Sequence, residues 1–430
     1  MSMLQMSESP KRFEPSPRLL PLWSVIAAFG TYFCMYAFRK PFTSASFSDL
    51  QYGGIGFKTI LVTSQVFGYM VAKFIGIKVI SEMRPENRAT GILKMIISAE
   101  LALILFALVP PPINTVFLFL NGLSLGMVFG LVLGYLEGRR QTEALAAGLC
   151  ASFILADGIT KSVGGYVMKA GIGEMQMPAV SGFFFLMPTV LFVWMLSRIP
   201  LPNQRDQEAR NHRGQMNHSD RSHFFRKYAI GLVPLMLCYL FVTILRSIRA
   251  DFAPELWKDL GVTQQPAIFT QSEFYVTLLV MLASGLSIFI KSNRTAFLVS
   301  IGISILGSVL IVLSVFGWTN GFFSGFPMMV GLGLGLYLPY VAIHTTVFER
   351  FLALTRDRGN VGYLMYLADS FGYLGYVGIM IWKNYVGAKG NMADFYFNLC
   401  LYLGFGSILM LGITFLAFRN IKPVTSNEVA

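Results

Sequence analysis

Twelve apolar stretches of roughly 20 residues or more punctuate the chain, at approximately 20–47, 57–80, 91–110, 112–136, 143–168, 178–197, 228–252, 270–290, 295–317, 322–348, 358–384 and 394–418. About 20 apolar residues wound as a helix cross the hydrocarbon layer of a bilayer. Inside lipid each backbone N–H and C=O needs an internal partner, which helices supply within one segment. The expected fold class is therefore an all-α membrane protein with twelve transmembrane helices. Only 13% of the residues are charged, about half the share of a soluble domain. The net charge of +12 is scattered between the apolar stretches, so no basic face for nucleic acid is expected. Cys34, Cys150, Cys238 and Cys400 fall inside apolar stretches without metal-ligand spacing.

The polar segments divide the chain into a tail (1–19), a six-helix bundle (20–197), a linker (198–227), a second six-helix bundle (228–418) and a C-terminal tail (419–430). Lys11, Arg12 and Arg18 precede an apolar stretch that lacks a small-residue cleavage site, and it reads as the first membrane helix. His212, His218 and His223 of the linker have no ligand spacing, and neither metal nor cofactor is expected. On alternating sides of the helices the connections carry 23 basic residues and five, the five being Lys58, Lys169, Lys258, Lys383 and Lys389. The basic side faces the cytoplasm, which puts both termini and the linker there, in a multi-pass inner-membrane protein. The lipid bilayer is its expected surround, and a monomer its expected assembly.

The six basic residues not counted in the connections lie within the predicted helices: Arg39, Lys40, Lys73, Lys161, Arg246 and Arg249. A charge near the bilayer centre costs about 2.5–3.5 kcal/mol on the insertion scale. Glu100, Asp157, Asp251 and Asp369 are the acidic partners considered, which leaves an excess of positive charge. Arg39 and Arg246 can be read as snorkelling from helix ends. Their symmetry favours another reading: Arg39 lies 21 residues past Arg18 and Arg246 lies 19 past Lys227, with Tyr32 and Tyr239 each seven residues earlier. Helices one and seven of two parallel repeats would then bring one arginine each to a midplane site. A guanidinium grips phosphate or carboxylate oxygens in a fork, so the expected partner is a small anionic solute.

The stretch Tyr36-Ala37-Phe38-Arg39-Lys40-Pro41-Phe42 resembles the helix-one motif of the organophosphate:inorganic phosphate antiporters of the major facilitator superfamily, the family that includes glycerol-3-phosphate transporters. Gly68-Tyr69-Met70-Val71-Ala72-Lys73-Phe74 is similar to that family's helix-two motif, and Leu245-Arg246-Ser247-Ile248-Arg249-Ala250-Asp251-Phe252-Ala253-Pro254 to its helix-seven motif. Tyr337-Leu338-Pro339, Glu349 and Gly372-Tyr373-Leu374-Gly375 extend the resemblance to five helices. It implies the major facilitator fold and substrate-binding roles for Arg39, Lys40, Lys73 and Arg246, beside which Tyr36 and Tyr239 are also expected to bind substrate. The family's helix-five histidine has no counterpart, Asp157 and Lys161 standing in that segment, and the loop 76–88 lacks the intact superfamily pattern.

Asp157, Lys161, Arg249, Asp251, His344 and Asp369 are candidates for coupling or gating. Asp157 and Lys161, four apart, read as a neutralising pair or a proton relay; His344 reads as a packing histidine or a titrating one. Gly122, Gly126, Gly130, Gly134 and Gly138 form a ridge at spacing four that suits close helix packing. The expected function is alternating-access transport of a small anion by exchange. A proton-coupled organic-anion symporter and a transporter-like receptor are the alternatives. No constellation for an enzyme is present in the sequence.

Overall fold

A computed structural model describes residues 16, 19–136, 142–200, 218–262, 265–288, 290–355, 361–385 and 392–421. The tails up to 15 and from 422, the linker residues 201–217 with His212, and Gly138 lie outside the described residues.

Twelve helices are long and apolar enough to cross a membrane. They are α1 (Leu20–Ala37), α2 (Phe57–Glu82), α3 (Pro85–Leu108), α4 (Thr115–Leu136, interrupted at Gly126), α5 (Thr142–Lys169) and α6 (Met177–Ser197). The second set is α7 (His218–Asp251), α8 (Ala267–Ile288), α9 (Asn293–Thr319), α10 (Gly325–Thr355), α11 (Val361–Tyr385) and α12 (Met392–Phe418). Two expected boundaries move for physical reasons. α1 ends at Ala37 instead of 47, because Pro41 has no N–H to donate and opens a separate short turn, Pro41–Ser44. α7 begins ten residues before the apolar stretch at 228, inside the predicted linker, since its first turns are polar.

The outer helices α6 and α12 bury only 28% of their spanning windows, whereas α5 and α10 bury 72%. The latter form the inner wall and the former present Leu, Ile and Phe outward. The two halves meet where α2 packs on α11 and α5 packs on α8. Within the first half, α2 and α4 approach at backbone contact: a Cβ at Gly122 would stand 2.0 Å from the carbonyl oxygen of Gln65, and one at Gly68 2.1 Å from that of Phe119. Gly122 and Gly126 of the predicted ridge thus face α2, and this close approach fixes the side chains at the inner end of α1.

Candidate functional site

Because α1 stops early, the carbonyls of Phe38 and Arg39 have no helical N–H ahead of them. Two buried amides fill the gap. Asn121 of α4 donates from Nδ2 to Phe38 O (2.9 Å) and to Ala99 O of α3 (3.1 Å). Gln65 of α2 donates from Nε2 to Arg39 O (3.1 Å) and to Asn121 Oδ1 (2.8 Å). Neither residue was singled out from the sequence, although an amide inside an apolar stretch is the signal that marks both. Held in this way, the Arg39 side chain is 4% exposed and lays its guanidinium carbon 3.9 Å from the centroid of the Tyr69 ring and 5.9 Å from that of Tyr36.

Arg246 of α7 repeats the arrangement in the other half. It is 7% exposed, and its guanidinium carbon lies 4.5 Å from the centroid of Tyr340 of α10. Tyr36, Tyr373 and Tyr376 each lie within electrostatic range of both guanidiniums, so the two converge on one group of tyrosines. Among the described residues neither arginine has a carboxylate in ion-pair contact, and the Nε of each makes no hydrogen bond. The snorkelling alternative is set aside, since both side chains are buried among other side chains.

The remaining interior cations are neutralised. Lys40 pairs with Asp251 of α7, with Asp157 of α5 at 3.8 Å, and Tyr376 donates to the other oxygen of Asp251 at 2.9 Å. Lys73 Nζ lies 2.9 Å from Asp369 Oδ2 of α11, across the halves. Tyr239 donates to Asp369 Oδ1 (2.5 Å), and His344 Nε2 is 3.7 Å from the same oxygen. Lys161 pairs with Asp157 one turn away, and Arg249 with Glu273 of α8 at 2.6 Å. Lys40 and Lys73 are therefore not uncompensated positive charge in this conformation. Tyr239 holds Asp369 and stacks at 5.2 Å on Tyr340, the ring that carries Arg246.

Two residues correct the interior inventory. Glu273 is 5% exposed and was not counted among the acids; the apolar run around it masked a single carboxylate. Lys58, assigned to a connecting loop, opens α2, is 4% exposed and binds Glu255 at 2.7 and 2.8 Å. A cavity of about 10 Å³, room for one water, lies between Asp157, Lys161, Arg249 and Glu273, where α5 meets α7 and α8. No cluster of three or more His, Cys, Asp or Glu suited to a metal occurs among the described residues.

A family model described as "Family of unknown function (DUF5690)" matches residues 41–421. The chain belongs to this family. Lys73, Asp157, Arg246, Glu273 and Asp369 fall within the matched region, and Arg39 and Lys40 immediately precede it. No curated protein matches the chain. Among solved structures, a D-xylose-proton symporter superposes with a TM-score of 0.61 at 14% identity, over 94% of this chain and 97% of that one. This DUF5690 member has the major facilitator fold.

Proposed function

We propose that the protein is a secondary transporter that carries a small anion by alternating access, with Arg39 and Arg246 gripping it from opposite halves. The observation that carries this reading is the sorting of the buried cations. Lys40, Lys58, Lys73, Lys161 and Arg249 each have a carboxylate partner, whereas among the described residues Arg39 and Arg246 have no carboxylate in ion-pair contact and lie against aromatic faces. A buried charge without a counter-charge costs several kcal/mol, and an anionic ligand is the partner that removes this cost. Two forked guanidiniums suit a phosphate, phosphate ester or carboxylate.

Exchange follows from the same electrostatics. The empty site carries two like charges in a medium of low dielectric, so reorientation is favoured only with an anion aboard. Both arginines belong to one chain, and the working unit is the single chain. The excess of basic residues on the linker side supports an inner-membrane protein whose linker and both termini face the cytoplasm.

Counterflow of labelled inorganic phosphate into vesicles holding purified protein, loaded with unlabelled phosphate, sugar phosphates, sulfate or carboxylates, tests the reading. Phosphate or a competing anion should exchange, and Arg246→Lys should abolish exchange. Absence of exchange with every anion, in a protein that is folded in the vesicles, would remove the proposal.

A further inference from the structure

Of the four acids that the sequence placed in the membrane, Asp157, Asp251 and Asp369 are ion-paired. Glu100 is not. It lies in α3 and is 6% exposed. Its Oε2 makes no hydrogen bond among the described residues. Among the described residues the helices packed on α3 are chiefly α4 and α6, with Phe38 at the end of α1 also adjacent, and no charged or titratable side chain from any of them, or from α3 itself, reaches Glu100. Its neighbours are Gly182 of α6 and Phe38: a Cβ built at Gly182 would stand 2.2 Å from Glu100 Oε2 and 3.1 Å from Phe38 Cδ1.

A lone carboxylate in such surroundings sheds its charge by taking up a proton. The site is also tied to Arg39. Asn121 donates from one amide nitrogen to Phe38 O and Ala99 O, so a single side chain clamps the peptide preceding Arg39 to the peptide preceding Glu100. We propose that Glu100 is a proton-binding site, occupied in this conformation, whose proton is linked to anion binding at Arg39. Loss of the proton places a negative charge behind Phe38, where it repels an anion brought to Arg39. Binding linkage is reciprocal: protonation raises anion affinity, and a bound anion holds the proton to higher pH. This linkage rests on the transport reading above; the proton site itself does not.

Ile97, Leu101 and Ile104, which flank Glu100 along α3, are 53%, 54% and 40% exposed, so the carboxyl lies one side-chain layer beneath the lipid-facing surface. A lipid-soluble carbodiimide reaches it there and discriminates by protonation. The carboxyl proton passes to a carbodiimide nitrogen, the carboxyl oxygen adds to the central carbon, and an oxygen-to-nitrogen acyl shift leaves an N-acylurea that retains every atom of the reagent. The full chain in vesicles is treated with dicyclohexylcarbodiimide over a pH series and mapped by mass spectrometry. Expected is labelling at Glu100 that declines as pH rises, none at Asp157, Asp251, Asp369 or Glu273, and none at position 100 in Glu100→Gln.

Added inorganic phosphate should carry the labelling to more alkaline pH, by about tenfold in proton concentration for a typical coupling. An unlabelled Glu100 at acid pH, in protein that takes the label there once unfolded, overturns the proton site. Labelling that phosphate leaves unmoved overturns the link to Arg39. A pH-dependent label together with no anion exchange in any vesicle overturns the transport reading and leaves the proton site standing.

Discussion

The guanidinium carbon of Arg39 lies 3.9 Å from the centroid of the Tyr69 ring, with no carboxylate in ion-pair contact among the described residues. The ring face attracts the cation while leaving the guanidinium N–H groups for an incoming oxyanion, and a desolvated contact of this kind is worth about 2 kcal/mol. Tyr69→Phe keeps the face and should leave the apparent affinity for the exchanged anion within a few-fold, whereas Tyr69→Leu should weaken it by roughly 30-fold. Equal losses in both variants, read by counterflow, would assign the role to the hydroxyl.

Arg39→Lys removes the fork while keeping the charge. Charge-assisted hydrogen bonds contribute about 1.5–3 kcal/mol, so exchange measured below saturation should fall by roughly ten- to 150-fold. Unchanged exchange would show that charge alone suffices at this position.

Lys73 and Asp369 join the halves at 2.9 Å, and removing one partner of such a pair leaves the other charge buried. Lys73→Met or Asp369→Asn alone should cost about 3–5 kcal/mol. The double substitution should recover most of this, because it leaves neither charge behind. Denaturant midpoints of the purified protein in detergent give the comparison, and additive losses would show that the two side chains do not act as a pair.

Asn121 satisfies two carbonyls with one amide. Asn121→Leu strands both, at about 1–3 kcal/mol each, and releases the peptide that positions Arg39. Lower stability together with weaker anion binding is expected. A stability loss with unchanged binding would confine Asn121 to packing.

Gly122→Ala forces a methyl to within 2.0 Å of the Gln65 carbonyl oxygen, so α2 and α4 must move apart. Overpacking of this kind costs about 1–3 kcal/mol or more. Gly285→Ala meets nothing within 4 Å and serves as the control. The yield of folded protein should drop for the first variant and hold for the second.

The spacing and length of the apolar stretches determined the twelve helices and their division into two halves, because crossing lipid is a requirement on sequence before it is one on packing. The sequence also marked Arg39, Arg246, Lys73 and Asp369 as costly charges. It did not say which of them compensate one another. Lys73 and Asp369 are 296 positions apart, and Lys40 and Asp251 are 211 apart, so only the docking of α2 on α11 and the approach of α7 to the end of α1 decided those pairs. Gln65 and Asn121 were legible only as polar residues in apolar stretches; their task appeared when α1 ended at Ala37 and left two carbonyls to satisfy. The same packing brought lysines to Asp157, Asp251 and Asp369 and, among the described residues, none to Glu100. A single chain's charge inventory is a sum over residues, whereas neutralisation is a matter of distance, and distance is what the tertiary structure supplied.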